Sequence, residues 1–99
     1  MWILETAADS EAGALMFRIP PGAIKTIGRA PRADFIVDVP LVSRLHCRVT
    51  ANPAGLEIVD LDSTNGTFVN DRRITQATLT PGDQVKIGPV ALVVSREGV

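Results

Sequence analysis

Leu61-Asp62-Ser63-Thr64-Asn65-Gly66-Thr67-Phe68 sets a run of small polar side chains between two apolar runs, Leu56-Glu57-Ile58-Val59 before it and Phe68-Val69 after it. Asn-Gly takes positive φ more readily than other dipeptides, so Ser63-Thr64-Asn65-Gly66 is expected to form a tight loop between two strands. The loop presents two hydroxyls and an amide from a fixed backbone. That is more chemistry than a turn requires.

Outward from this loop, short apolar runs alternate with turn signals in both directions, and no stretch keeps a helical period. Before it, the strand candidates are Trp2-Ile3-Leu4, Leu15 to Ile19, Ile24 to Ile27, Phe35-Ile36-Val37, Leu45 to Thr50 and Leu56 to Leu61. In Leu45 to Thr50, Leu45, Cys47 and Val49 alternate with His46, Arg48 and Thr50, which assigns the two sets to opposite faces. Ala7 to Gly13 reads as a polar loop, and Pro20-Pro21-Gly22 and Asn52 to Gly55 read as turns. After the opening loop come Thr67-Phe68-Val69 and a polar link, Asn70 to Arg73. Thr80-Pro81-Gly82-Asp83 has Pro and Gly where a type II turn takes them. Gln84 to Ile87 and Val90 to Val94 close the chain as strands, with Ser95 to Val99 as a frayed end. About ten short strands in one small chain define an all-β sandwich, mainly antiparallel, with its loops gathered at two ends. Function is expected at one of those ends.

Bulk properties narrow the classes of function. The 99 residues form one domain, 1–99, large enough to bury a core, and no repeat, low-complexity tract or linker marks a second unit. With 45% hydrophobic and 21% charged residues the composition is that of a soluble globular chain. Ten Lys+Arg against eleven Asp+Glu leave a net charge of -1, which argues against a nucleic-acid partner. Cys47 is the single cysteine, so no internal disulfide forms and a reducing, cytoplasmic setting is the expectation. Met1-Trp2-Ile3-Leu4 lacks the form of a signal peptide, and no apolar run is long enough for a membrane span, so no membrane partner is expected.

Three loop segments carry chemistry: Gly28-Arg29, Ser43-Arg44-Leu45-His46 and Ser63-Thr64-Asn65-Gly66. Together they supply two guanidiniums, hydroxyls, an amide and an imidazole, with no carboxylate inside any of the three. Such a set suits an anion, through charge-assisted donors and the backbone N–H groups of a tight loop. A phosphate on a peptide, with about -1.5 to -2 charges and three acceptor oxygens, would use all of these donors.

At these residues the sequence resembles the forkhead-associated (FHA) domain family. The likeness continues through Thr67-Phe68-Val69-Asn70 and through Leu79 to Gly88, and covers roughly residues 25 to 94 with the motifs in the family's order and spacing. The resemblance implies a β-sandwich of about eleven short strands that binds phosphothreonine in an extended peptide at one loop end. It implies phosphate contacts from Arg29, Ser43 and Thr64, a phosphate or peptide contact from Arg44, and a hydrogen bond from Asn65 to the peptide main chain. Gly28, letting the backbone turn, His46, bracing the loops from behind, Gly66, shaping the loop, and Asn70, tying neighbouring loops, would support the site. Asp71 departs from the glycine often found after that Asn. Leu41 and Val42, ahead of Ser43, would favour an apolar residue three positions after the phosphothreonine, whereas Arg72 and Arg73, if they face the peptide, would favour acidic ones.

The plainer readings stand beside these. Arg29 taken alone is a solvated surface charge and Ser43 taken alone a turn residue. Arg32 is either an exposed loop charge or part of the field around the phosphate. His46, the only histidine, has no Cys/His cluster for a metal and no oriented triad for nucleophilic catalysis, so no catalytic residue, metal or cofactor is assigned. Cys47, Trp2, Phe17, Phe35 and Phe68 read as core or near-core residues. The expectation is therefore a non-enzymatic module that docks a phosphothreonine-containing protein or peptide downstream of a Ser/Thr kinase. The alternative is a scaffold or oligomerisation domain of the same fold without phosphate-dependent binding.

Overall fold

The computed structural model describes residues 1–7, 10 and 12–98. Eleven strands lie among them: β1 (Trp2–Thr6), β2 (Met16–Ile19), β3 (Ile24–Gly28), β4 (Phe35–Ile36), β5 (Cys47–Asn52), β6 (Gly55–Asp60), β7 (Thr67–Val69), β8 (Arg72–Ile74), β9 (Gln76–Leu79), β10 (Gln84–Ile87) and β11 (Val90–Arg96). They form two sheets, a six-stranded one in the order β2-β1-β11-β10-β7-β8 and a five-stranded one in the order β4-β3-β5-β6-β9. The pairings are antiparallel except for β3 with β4. This is the sandwich that the alternating pattern predicts.

The core is the layer between the sheets. Leu4, Ile19, Val85, Ile87 and Leu92 face Ile27, Cys47, Val49, Leu56, Ile58 and Leu79, all fully buried. Each such aliphatic side chain contributes about 1.5–3 kcal/mol by leaving water. Trp2 belongs to the same cluster, and Phe17, Phe35 and Val69 pack against it half-buried. The rings of Phe17 on β2 and Phe35 on β4 stack at 4.6 Å and 8°. These are edge strands of different sheets, so the stacked pair closes one side of the sandwich and fixes where the chain leaves β4. At the start of the same segment the Asp34 carboxylate accepts from the backbone N–H and the hydroxyl of Thr26, at 2.8 and 3.1 Å, which holds the β3–β4 loop.

Four sequence expectations are corrected. The polar link Asn70 to Arg73 is half strand, because Arg72 and Arg73 belong to β8, and β9, where Ala77 and Leu79 alternate with Gln76 and Thr78, was not read as a strand. Both are edge strands, paired on one side only, so neither needs the apolar run of a central strand, and charge on an edge guards it against further pairing. Ser95 and Arg96 are the end of β11 rather than a frayed tail, held by pairing of Arg96 with Trp2, where the guanidinium lies 4.9 Å from the indole centroid. The period-2 reading of Leu45 to Thr50 fails at its start. The strand begins at Cys47, and His46 is fully buried rather than on the solvent face. Part of the expected Ala7 to Gly13 loop, and Val99, lie outside the described residues.

Both chain ends meet at the end of the sandwich opposite the three loop segments. The Met1 amino group donates to the Glu97 carbonyl at 3.2 Å, and Glu97 N–H donates to the Met1 carbonyl at 2.8 Å. Met1, Trp2 and Arg96 share a cavity with Asn52 and Pro53, at the far end of β5 from His46.

Candidate functional site

Gly28 ends β3 and lies against the segment that precedes β5. A Cβ added there would fall on the Arg44 carbonyl, so no larger residue lets the two backbones approach. The close approach is sealed by two backbone hydrogen bonds, Arg29 N–H to Ser43 O at 3.0 Å and Ala30 N–H to Arg44 O at 3.1 Å. Gly28 therefore serves proximity between neighbouring segments rather than a turn of its own. Arg29 and Ser43 are side by side as a result.

His46 joins the second and third segments. Its Nδ1 accepts from Ser43 N–H at 3.0 Å, which leaves the ring proton on Nε2, where it donates to the Gly66 carbonyl at 2.8 Å. Burial disfavours the imidazolium and pushes the His46 pKa down, against smaller opposing effects from Gly66 and Asp60. The neutral ring with one donor and one acceptor is the form this bridge requires.

The third loop is fixed from within by Asp60, a residue the sequence reading overlooked. One Asp60 carboxylate oxygen accepts from the hydroxyls of Ser63 and Thr67 at 2.6 and 2.7 Å, and the other from Ser63 N–H at 3.2 Å. Ser63 Oγ accepts in turn from Gly66 N–H at 3.0 Å. Burial alone would raise the Asp60 pKa, but these hydrogen bonds outweigh it and the net shift is downward. The signal available in the sequence was Asp60 standing three residues before Ser63, a spacing at which local side-chain to backbone bonds form. Gly66 has φ 87°, a conformation that calls for glycine, and the Arg73 guanidinium lies above it. Among the described residues no buried side-chain polar atom lacks a hydrogen-bond partner.

On this frame the exposed groups converge. A groove of about 790 Å³ is lined by Arg29, Ser43, Arg44, Thr64 and Asn65 together with Leu41. Each anchored side chain uses one polar group internally and keeps others for the groove. Arg29 Nε donates to the Val42 carbonyl at 3.0 Å, leaving both terminal nitrogens. Ser43 Oγ accepts from Thr64 N–H at 3.0 Å, leaving its own proton. Asn65 Nδ2 donates to the Leu41 carbonyl at 2.8 Å, leaving the amide oxygen and one N–H. Thr64 and Arg44 are exposed.

The remaining sequence candidates divide. Leu41 is 64% exposed and lines both the groove and an adjoining cavity of about 350 Å³ with Asn65, Phe68, Asp71, Lys86 and Gly88. Val42 is 2% exposed, so its side chain belongs to the core and only its carbonyl reaches the site. Arg72 and Arg73 are exposed on β8 but line neither the groove nor that cavity. Asn70 accepts from Gln84 N–H at 2.9 Å and donates to Asp83 at 3.0 Å, tying the β7–β8 turn to the start of β10. Asp71 adopts φ 68° there without glycine. Two carboxylates that none of the three segments' motifs contains, Asp38 and Asp62, also line the groove.

Comparison with known proteins agrees with this architecture. Residues 25–88 match the FHA domain family, and the chain belongs to it. Over 81 residues, 82% of this chain, it is 46% identical to the ABC transporter ATP-binding/permease protein Rv1747 of Mycobacterium tuberculosis, of which it spans 9%. It spans under half the length of further curated relatives that it matches. The crystal structure of the FhaA FHA domain complexed with the intracellular domain of Rv3910 superposes with a TM-score of 0.85 at 26% identity, covering 96% of this chain and 100% of that one. Mycobacterium tuberculosis EmbR in complex with a low-affinity phosphopeptide gives 0.82 at 25% identity, covering 98% of this chain and 26% of that one.

Proposed function

We propose that this chain is a non-catalytic module, a single domain over residues 1–99, that docks partners phosphorylated on threonine by Ser/Thr kinases in the cytoplasm. One observation carries the reading. Arg29, Ser43 and Asn65 are each held by an internal hydrogen bond that leaves their remaining donors in one groove. Arg29, Ser43 and Thr64 would bind the phosphate, with Arg44 beside them, and Asn65 would hold the peptide main chain through its free amide oxygen and N–H. Membership of the FHA family and the phosphopeptide bound by EmbR support the same ligand class. A sandwich used only as scaffold leaves this anchored donor set without a role.

Binding is therefore a switch. Each hydrogen bond to a charged group contributes about 1.5–3 kcal/mol net, and 1.4 kcal/mol is about tenfold in affinity. Loss of the phosphate removes several such bonds together. Calorimetric titration with a phosphothreonine peptide should give saturable binding, and the unphosphorylated peptide none. Arg29→Ala should weaken binding at least about a hundredfold, by two lost charged hydrogen bonds. Wild-type affinity in that variant would remove Arg29 from the site.

A further inference from the structure

The groove that holds Arg29 and Arg44 also holds Asp38, on the β4–β5 loop, and Asp62, on the β6–β7 loop. Two guanidiniums against two carboxylates leave this lining with no net formal charge. A groove shaped only to attract a dianion gains nothing from carboxylates on two separate loops, since each repels phosphate. Asp38 and Asp62 are exposed, so neither is held in place by burial. Asp62 adopts φ 57°, a left-handed backbone that Asp and Asn enter more readily than most side chains. Neither carboxylate lines the adjoining Leu41–Phe68 cavity, which shares only Leu41 and Asn65 with the groove. The two carboxylates, like Arg29, Ser43, Arg44 and Thr64, thus belong to the groove alone. Arg72 and Arg73 do not line the groove, and the Arg73 guanidinium lies over Gly66.

We propose that Asp38 and Asp62 select phosphothreonine segments that carry a lysine or arginine close to the phosphothreonine. The inference rests on the phosphothreonine reading above and names the partner class for that same site: a zwitterionic segment rather than a uniformly acidic one. A peptide cation near these carboxylates acts twice. It pairs with them directly, and it screens the repulsion they exert on the phosphate. An acidic flank adds to that repulsion.

The test is fluorescence anisotropy with an alanine-flanked phosphothreonine peptide and with single Lys or Glu replacements at each of the neighbouring positions on both sides. At one or two adjacent positions the Lys peptide should bind about fivefold tighter than its Glu counterpart at low salt, as for a solvent-exposed charge pair. The ratio should shrink as salt is raised. Asp38→Asn and Asp62→Asn should each move the ratio at those positions toward one, Asn keeping the left-handed backbone at residue 62. A flat Lys-to-Glu profile in the wild type, or a ratio that survives in both variants, overturns the assignment of Asp38 and Asp62 while phosphothreonine binding stands. A chain that binds no phosphothreonine peptide overturns the phosphothreonine reading and this inference with it.

Discussion

Ser63 and His46 show how single residues hold the groove without lining it. Ser63 donates to Asp60 and accepts from Gly66, so Ser63→Ala takes one donor from the Asp60 carboxylate, which keeps Thr67, and strands the buried Gly66 N–H. We expect a loss of about 1–3 kcal/mol in urea denaturation, the penalty for leaving buried partners unpaired. Phosphopeptide affinity should fall as well, because Thr64 and Asn65 ride on that loop. His46 makes stability depend on pH. Its pKa is lowered in the fold by burial, from 6.5, so below that value the unfolded chain binds more protons than the folded one. Stability should be full above pH 6.5 and fall as pH drops below it, until the folded pKa is reached. Urea midpoints at pH 7.5 and 5.5 should differ for wild type and differ less for His46→Gln. The brace role of His46 was legible through the family likeness. Asp60 was not, because a carboxylate at a strand end looks like ordinary surface polarity until its three partners are placed around it.

At the scale of elements, the β7–β8 hairpin links the site to the rest of its sheet. Asn70 and Asp71 occupy its turn with φ 49° and 68°, the two left-handed positions of a tight hairpin turn. Asp71 bears that conformation at a cost glycine would not carry. Asp71→Gly should raise stability by up to about 1 kcal/mol, the lower end of the left-handed penalty for residues with a Cβ. Asn70→Ala should lower it by about 1 kcal/mol, since two solvent-exposed hydrogen bonds, with Gln84 N–H and with Asp83, are lost. Thermal or chemical denaturation of the two variants, shifting in opposite directions, checks both. The turn was legible as a polar link, but β8 was not. An edge strand carrying Arg72 and Arg73 has no apolar alternation to read, and its existence follows only from pairing with β7.

For the whole molecule, Cys47 reports global opening. It sits at 0% exposure in the core, and burial pushes its thiol up to about 12, with Asp60 adding to the shift. A thiol reagent should label the native chain only as fast as the sandwich opens, and the rate should climb with urea. Fast labelling without denaturant would contradict the packing. The sandwich itself was legible because alternation and turn residues repeat along the whole chain, whereas pairing order and the sharing of one groove by Asp38 and Asp62 depend on contacts distant in sequence. The hydrogen-bonded chain ends carry a last consequence. Residues 1 and 97 are held side by side, away from the groove, so a short link between them can close the chain without disturbing the sandwich. Joining residue 97 to residue 1 while opening a turn far from the groove should give a permuted chain that still reads its ligand.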